Sequence, residues 1–163
     1  MSRPDRILVL RTGRHLAVAV AALGSRWPGC EIAVVGTPGS EPAIAQAGVP
    51  SAHTFVYDAA PTFQPAAFRF SRAARAAQRW GFDRVAVLWN DPTGSGQGNV
   101  DRTAFWLAPL GFVAVTPDGR MVDRSLWPHV MRQGRRAVVS LVAAPVLGLL
   151  FLPGWVTGWR RQP

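Results

Sequence analysis

The chain of 163 residues contains no lysine; all eighteen of its basic residues are arginine. A phosphate-binding P-loop, which needs a Gly-Lys-Ser/Thr element, is thereby excluded. One cysteine, Cys30, excludes an intramolecular disulfide and any cysteine-cluster metal site. The three histidines, at 15, 53 and 129, have no second ligand at metal-binding spacing, so no metal is expected. Acid is scarce as well, with nine residues against eighteen arginines and a net charge of +9. That excess is uneven: residues 120–163 carry +6 and residues 1–119 only +3. Charge gathered around an apolar C-terminal stretch suits lipid headgroups. Nucleic acid wants basic and aromatic residues interleaved over a folded domain, so the partner expected is a membrane and not nucleic acid.

What the sequence does have is a strand running into a glycine-rich loop. Arg84-Val85-Ala86-Val87-Leu88-Trp89 is a nearly continuous apolar run, as a strand covered on both faces requires. Asn90-Asp91-Pro92-Thr93-Gly94-Ser95-Gly96-Gln97-Gly98 stops it, because proline removes a donor and glycine admits positive φ. Asn99 is expected to cap the next helix, with Asp101 in its first turn facing the positive end of the helix dipole. Glycine-rich backbone leading into exposed helix N–H groups forms an anion or hydroxyl pocket. A calcium loop begun at Asp91 fails, since its twelfth position is Arg102 where a bidentate carboxylate belongs. The plainer alternative is a flexible strand-to-helix connection.

Taken in order, the chain alternates strand and helix. Ile7-Leu8-Val9-Leu10 is too short for a signal peptide and is closed by Arg11, so Arg6 to Arg11 is a first strand. Gly13 breaks it, and a helix runs through Leu16, Val20 and Leu23 to about Trp27, ended by Pro28-Gly29. Glu31 to Val35 is a second strand, Pro42 to Ala47 a short helix, and Thr54 to Tyr57 a weaker third strand. Residues 66–80 form one amphipathic helix, with Phe70, Ala73, Ala74, Ala77 and Trp80 inward and Arg69, Arg72, Arg75 and Arg79 outward. Phe68 falls on the basic side. That face is either simply solvated or rests on an anionic membrane with Phe68 dipping in. A helix from Asn99 to Leu107 and a fifth strand from Phe112 to Val115 complete the series. The expected fold is α/β: a Rossmann-like, mostly parallel five-stranded sheet with helices on both faces, over residues 1–120.

Residues 121–136 read as a basic juxtamembrane linker and 137–156 as a transmembrane helix. These twenty uncharged residues at ~1.5 Å each span ~30 Å, one hydrocarbon core. Arg132, Arg135 and Arg136 precede the segment, Arg160 and Arg161 follow it, and Trp155 and Trp159 stand at interfacial positions. Pro145 and Pro153 allow a kinked or re-entrant form. The arginine balance puts the N-terminal domain on the cytoplasmic side of the inner membrane, with 157–163 a short basic tail.

In a doubly wound sheet of order 3-2-1-4-5, ligands bind beyond the carboxyl ends of strands one and four. The loop after strand one supplies Arg11, Gly13, Arg14 and His15. The loop after strand four supplies Asn90, Asp91, Thr93, Gly94, Gly96, Gly98, Asn99 and Asp101. Arginine pairs phosphate and Asn or Asp reads hydroxyls, which points to a sugar or lipid-linked phosphate ligand. His15 and Asp91 are the candidate catalytic pair, as a general base and its orienting carboxylate. One glycine in the first loop, where a dinucleotide fingerprint has three, disfavours nicotinamide or flavin, and no cofactor is expected.

Arg6-Ile7-Leu8-Val9-Leu10-Arg11-Thr12-Gly13, then Arg26-Trp27-Pro28-Gly29 and Glu31-Ile32-Ala33-Val34-Val35, resemble the opening of the ADP-heptose:lipopolysaccharide heptosyltransferases. Gly81-Phe82-Asp83-Arg84-Val85-Ala86-Val87-Leu88 resembles the lead-in to that family's fourth strand. The likeness covers about residues 6–120, the acceptor-side half of a two-domain GT-B glycosyltransferase. It implies an acceptor-like fold without the donor-binding half. That family's first loop carries a Gly-Asp element whose Asp acts on the acceptor hydroxyl; here Arg14-His15-Leu16 stand instead, so no residue inherits that role.

Three functions fit the sequence. One is a membrane-anchored, glycosyltransferase-like half domain in envelope glycan or glycolipid assembly, binding its ligand or a partner transferase. Another is a self-sufficient enzyme on a phosphorylated or nucleotide-linked substrate, and the third a membrane adaptor with no small-molecule site.

Overall fold

The computed structural model describes residues 4–10, 14–60 and 62–125. Their elements are β1 (Arg6–Leu10), α1 (Leu16–Arg26), β2 (Glu31–Gly36), α2 (Glu41–Gln46), β3 (Thr54–Val56), α3 (Pro65–Phe70), α4 (Arg72–Trp80), β4 (Arg84–Leu88), α5 (Gly98–Leu107), β5 (Gly111–Val115) and β6 (Met121–Ser125). The sheet order is β3-β2-β1-β4-β5-β6, parallel through β5 and antiparallel at β6.

Strand alternation sorts the core into two layers. Ile7, Val9, Val34, Ala86 and Leu88 pack with Leu16, Ala19 and Leu23 of α1 and Ile44 of α2. Leu8, Leu10, Val35, Val85 and Val87 pack with Phe68 of α3, Ala73, Ala74 and Ala77 of α4, and Val100 and Ala104 of α5. Both sheet faces are therefore covered, which is why these strands read as continuous apolar runs. Right-handed crossovers account for the split. The chain moves outward from β1 to β3 with α1 and α2 on one face, then returns past β1 to β4 and β5 with α3, α4 and α5 on the other. That reversal leaves β1 beside β4, with Leu10 opposite Val87.

Two expectations need correction. The sheet has six strands, because residues 121–125 pair with β5 where a linker was expected. Thr116-Pro117-Asp118-Gly119 makes the hairpin: Gly119 N–H donates to Thr116 O at 2.9 Å, Thr116 N–H to Arg120 O at 3.0 Å, and Gly119 sits at φ +81°. Pro-Asp-Gly is a turn signal of stated mechanism, since proline presets φ and glycine supplies the left-handed residue.

The second correction concerns the helix expected over 66–80, which is two helices joined at Ser71. Ser71 is extended (φ −71°, ψ 159°) and serves both. Its Oγ accepts from Ala74 N–H at 3.1 Å, an N-cap for α4, and donates to Phe68 O at 2.7 Å, closing α3. The break shifts the helical phase. Phe68 turns inward and is fully buried among Tyr57, Phe63 and Trp106, while Phe70 is 76% exposed. Phe68 is therefore a core residue and cannot dip into a membrane. The exposed arginines of α4 and the buried Ala73, Ala74 and Ala77 lie as the periodicity predicts.

No helix among the described residues is long and apolar enough to cross a membrane. The segment 137–156 expected to span one lies outside the described residues, as do the linker from 126 and the tail to 163.

Candidate functional site

The carboxyl ends of β1 and β4 adjoin at the reversal of strand order, where a doubly wound sheet opens its ligand crevice. From this edge α1 and α5 start on opposite faces of the sheet. Among the described residues neither start is capped by a side chain: His15 precedes α1 and Gln97 precedes α5, and neither makes a capping bond. The first turn of α1 holds no acid. Uncapped N–H groups and the helix dipole therefore favour an anion at α1, whereas the first turn of α5 already holds Asp101 and its Val100 N–H is bonded to Gln97 O. Arg14 and His15 are exposed at the α1 start, as are Asn90, Thr93, Gly96, Gly98 and Asn99 along the second loop. Arg11 and Gly13 lie outside the described residues.

Asn99 does not cap α5. The helix begins one residue earlier, at Gly98, because Val100 N–H and Asp101 N–H both donate to Gln97 O at 3.0 Å. Gln97 is buried at the cap, and Gln97 N–H donates to Gly94 O at 3.3 Å. The preceding glycine turn fixes where the helix can start, and that overrides the capping preference of asparagine.

The loop folds down onto Trp89, which sequence reasoning treated as the last residue of a strand. Trp89 is buried, and its N–H donates to Val115 O at 2.9 Å. Its indole Nε1 donates to Asp101 Oδ1 at 3.1 Å, and the Arg124 guanidinium stands 5.0 Å from the ring centroid. Gly94, at φ +71°, lies so close that a Cβ there would meet the indole carbons at 2.6 Å. Gly96 shares the positive φ but faces open space, and Gly98 is open at ordinary φ. Of these three glycines, Gly94 alone is demanded by both φ and packing. A tryptophan at the end of an apolar strand, directly before a glycine turn, was the available signal.

Asp91 and Asp101 are both engaged with the chain itself. Asp91 Oδ1 accepts from Thr93 N–H at 2.8 Å, from the Thr93 hydroxyl, and from Ser95 N–H at 3.3 Å. The Thr93 hydroxyl, aided by loop N–H groups, holds the Asp91 carboxyl below the usual carboxylate range. A carboxylate so held organises the turn and accepts a proton poorly near neutral pH. Among the described residues no hydrogen bond joins it to His15. Asp101 is half-buried beneath Trp89, with Arg124 Nη2 at 3.8 Å from its Oδ2. Its interactions point into the fold and tie α5 to β6.

Burial raises the Asp101 pKa, against the lowering influence of the Trp89 N–H and of Arg124. A carboxyl raised on folding adds stability that is full below its unfolded pKa, near 3.9, and lost as pH rises through the folded value. Asp101→Asn keeps an acceptor for the indole without the buried charge. It is expected to match or exceed the wild type at pH 7, with any advantage shrinking toward pH 4. Asp101→Ala leaves the indole N–H without an acceptor and should cost about 1–3 kcal/mol. Urea unfolding at both pH values decides the matter. An Asn variant as weak as the Ala variant at pH 7 would mean that the Arg124 pair outweighs burial.

No family model matches the chain, and no curated protein matches it.

Proposed function

We propose that the chain is a glycosyltransferase-like half domain that binds a sugar or lipid-linked phosphate at the cytoplasmic face of a membrane. Its place would be envelope glycan or glycolipid assembly. One observation carries the ligand site: two helices on opposite faces of the sheet, α1 and α5, both start at the carboxyl ends flanking the β1–β4 reversal, uncapped by any side chain among the described residues. Arg14, with Arg11 three residues before it, supplies guanidinium for a phosphate. The exposed amides of Asn90 and Asn99 suit sugar hydroxyls. Binding is favoured over catalysis because Asp91, the partner expected for His15, is engaged in holding its own loop. Support for the membrane comes from the uncharged run 137–156 with arginines at both ends.

A second reading, the adaptor without a small-molecule site, is favoured by the packing of Gly94 on Trp89, which accounts for part of the glycine spacing without a ligand. One experiment separates the two. The envelope glycolipid mass profile of a strain lacking the chain is compared after complementation with wild type or with an Arg11→Ala, Arg14→Ala double variant. A truncated or missing glycan restored only by wild type is the expected result. Full rescue by the double variant would favour the adaptor, and an unchanged profile in every strain would sink the role in glycan assembly.

A further inference from the structure

We infer that the outer face of α4, together with Phe70 just before it, is a docking surface for an anionic phospholipid bilayer. This rests on the preceding reading only in placing the chain at a membrane; neither the crevice nor any glycan enters it. Arg72, Arg75 and Arg79 share one helical face at spacings of three and four residues, and Arg69 precedes them. All four are exposed, and among the described residues none is paired with a carboxylate. The sequence has no acid between Asp58 and Asp83, so nothing on α3 or α4 offsets these charges.

Phe70 ends α3 two residues before Arg72 and adds an apolar ring next to this charge. A phenylalanine 76% exposed keeps a large apolar ring in water, and the Arg69 guanidinium lies 5.8 Å from its centroid. Cations beside a projecting aromatic ring match the headgroup region, where phosphate meets guanidinium and the ring enters the acyl boundary. Nucleic acid fits less well. The face offers one amide, Gln78, and no Asn, Ser, Thr or Tyr to read base edges, and its single exposed ring, Phe70, falls short of the run of aromatics on which successive bases stack. The buried side of α4 is Ala73, Ala74 and Ala77, so the arginines can be replaced without touching the core.

The test uses the full chain carrying Cys30→Ser and Gln78→Cys, labelled at residue 78 with an environment-sensitive fluorophore. It is reconstituted with vesicles of phosphatidylcholine alone or with phosphatidylglycerol added. Because the probe sits on α4, contact made elsewhere in the chain does not produce the signal. Emission should shift blue only with phosphatidylglycerol and return on adding salt to about 0.5 M, where the Debye length falls below ~5 Å. Substituting Arg72, Arg75 and Arg79 by Gln should lower the ratio of docked to free helix roughly 100-fold, from about fivefold per arginine. Substituting all three by Lys should restore most of it, and far-UV circular dichroism should be the same throughout. An emission indifferent to phosphatidylglycerol, or a Gln variant that shifts like the parent, would overturn the inference. So would a shift produced by polyuridylate RNA and not by vesicles.

Discussion

Gly94→Ala should lower the unfolding free energy by about 2–4 kcal/mol, against about 1 kcal/mol for Gly96→Ala and near zero for Gly98→Ala. All three glycines belong to one loop, and the difference comes from what each faces. At Gly94 two costs add. A side chain at φ +71° is strained by roughly 1–2 kcal/mol, and its Cβ would stand 2.6 Å from the carbons of the Trp89 ring. That ring cannot swing aside cheaply, because Trp89 is buried and fixed at both ends, by Val115 O and by Asp101 Oδ1. Overpacking of this kind costs about 1–3 kcal/mol. Gly96 meets only the first cost, since nothing lies within 4 Å. Gly98 meets neither, and at the first position of α5 an alanine gains helix propensity. Urea unfolding of the three variants checks the ranking. Three equal, small losses would mean that the loop does not rest on Trp89, and the reading of all three glycines as backbone open to an anion or hydroxyl would return.

That ranking marks the limit of what the sequence showed at this site. The alternate glycines were visible, and so was the apolar strand before them. What the glycines faced was not, because a tryptophan at a strand end has the same letter whether it closes the core or lines a cleft. The helix start moved for a similar reason. Asn99 is the better cap by type, but cap position is set by where the glycine turn delivers the chain, and it delivers Gln97. By contrast, the order of the first five strands followed from apolar runs and short connections, which are local properties that sheet geometry preserves. β6 escaped because Asp123, Arg124 and Ser125 are three of its five residues, all exposed at an edge where no apolar alternation is required. Its evidence lay in the turn before it.

The loop and the sheet edge are linked through these overlooked residues. Arg124 of β6 stands over Trp89 and near Asp101, so the added strand supports the floor of the glycine loop and the first turn of α5. A ligand at the β1–β4 edge would meet a loop held from below by a buried indole. Pre-set geometry of this kind lowers the ordering cost of binding. It also explains how the loop can be glycine-rich without being loose: Asp91 fastens its near side through Thr93 and Ser95, and Trp89 fastens its middle.

Phe68→Ala should cost about 3–5 kcal/mol, while Phe70→Ala, two residues away, should stay within about 0.5 kcal/mol. One uninterrupted helix over 66–80 would predict the reverse, because it places Phe70 inward and Phe68 among the arginines. Ser71 decides between the two outcomes. Its extended backbone ends α3, and its hydroxyl closes both helices at once. Phe68 is fully buried, with ring centroids of Tyr57, Phe63 and Trp106 at 5.5, 5.8 and 6.2 Å. Removing it opens a cavity lined by rings that cannot all collapse inward. Because a domain of this size holds only about 5–15 kcal/mol in total, the loss should appear as a large fall in the urea midpoint. The Phe68–Trp106 contact also joins α3 to α5, so the loss should reach the helix whose start flanks the candidate site. Amide hydrogen exchange would show this as lost protection across both α3 and α5. Protection lost in α3 alone would make that contact incidental, and a larger cost at position 70 than at 68 would restore the single helix.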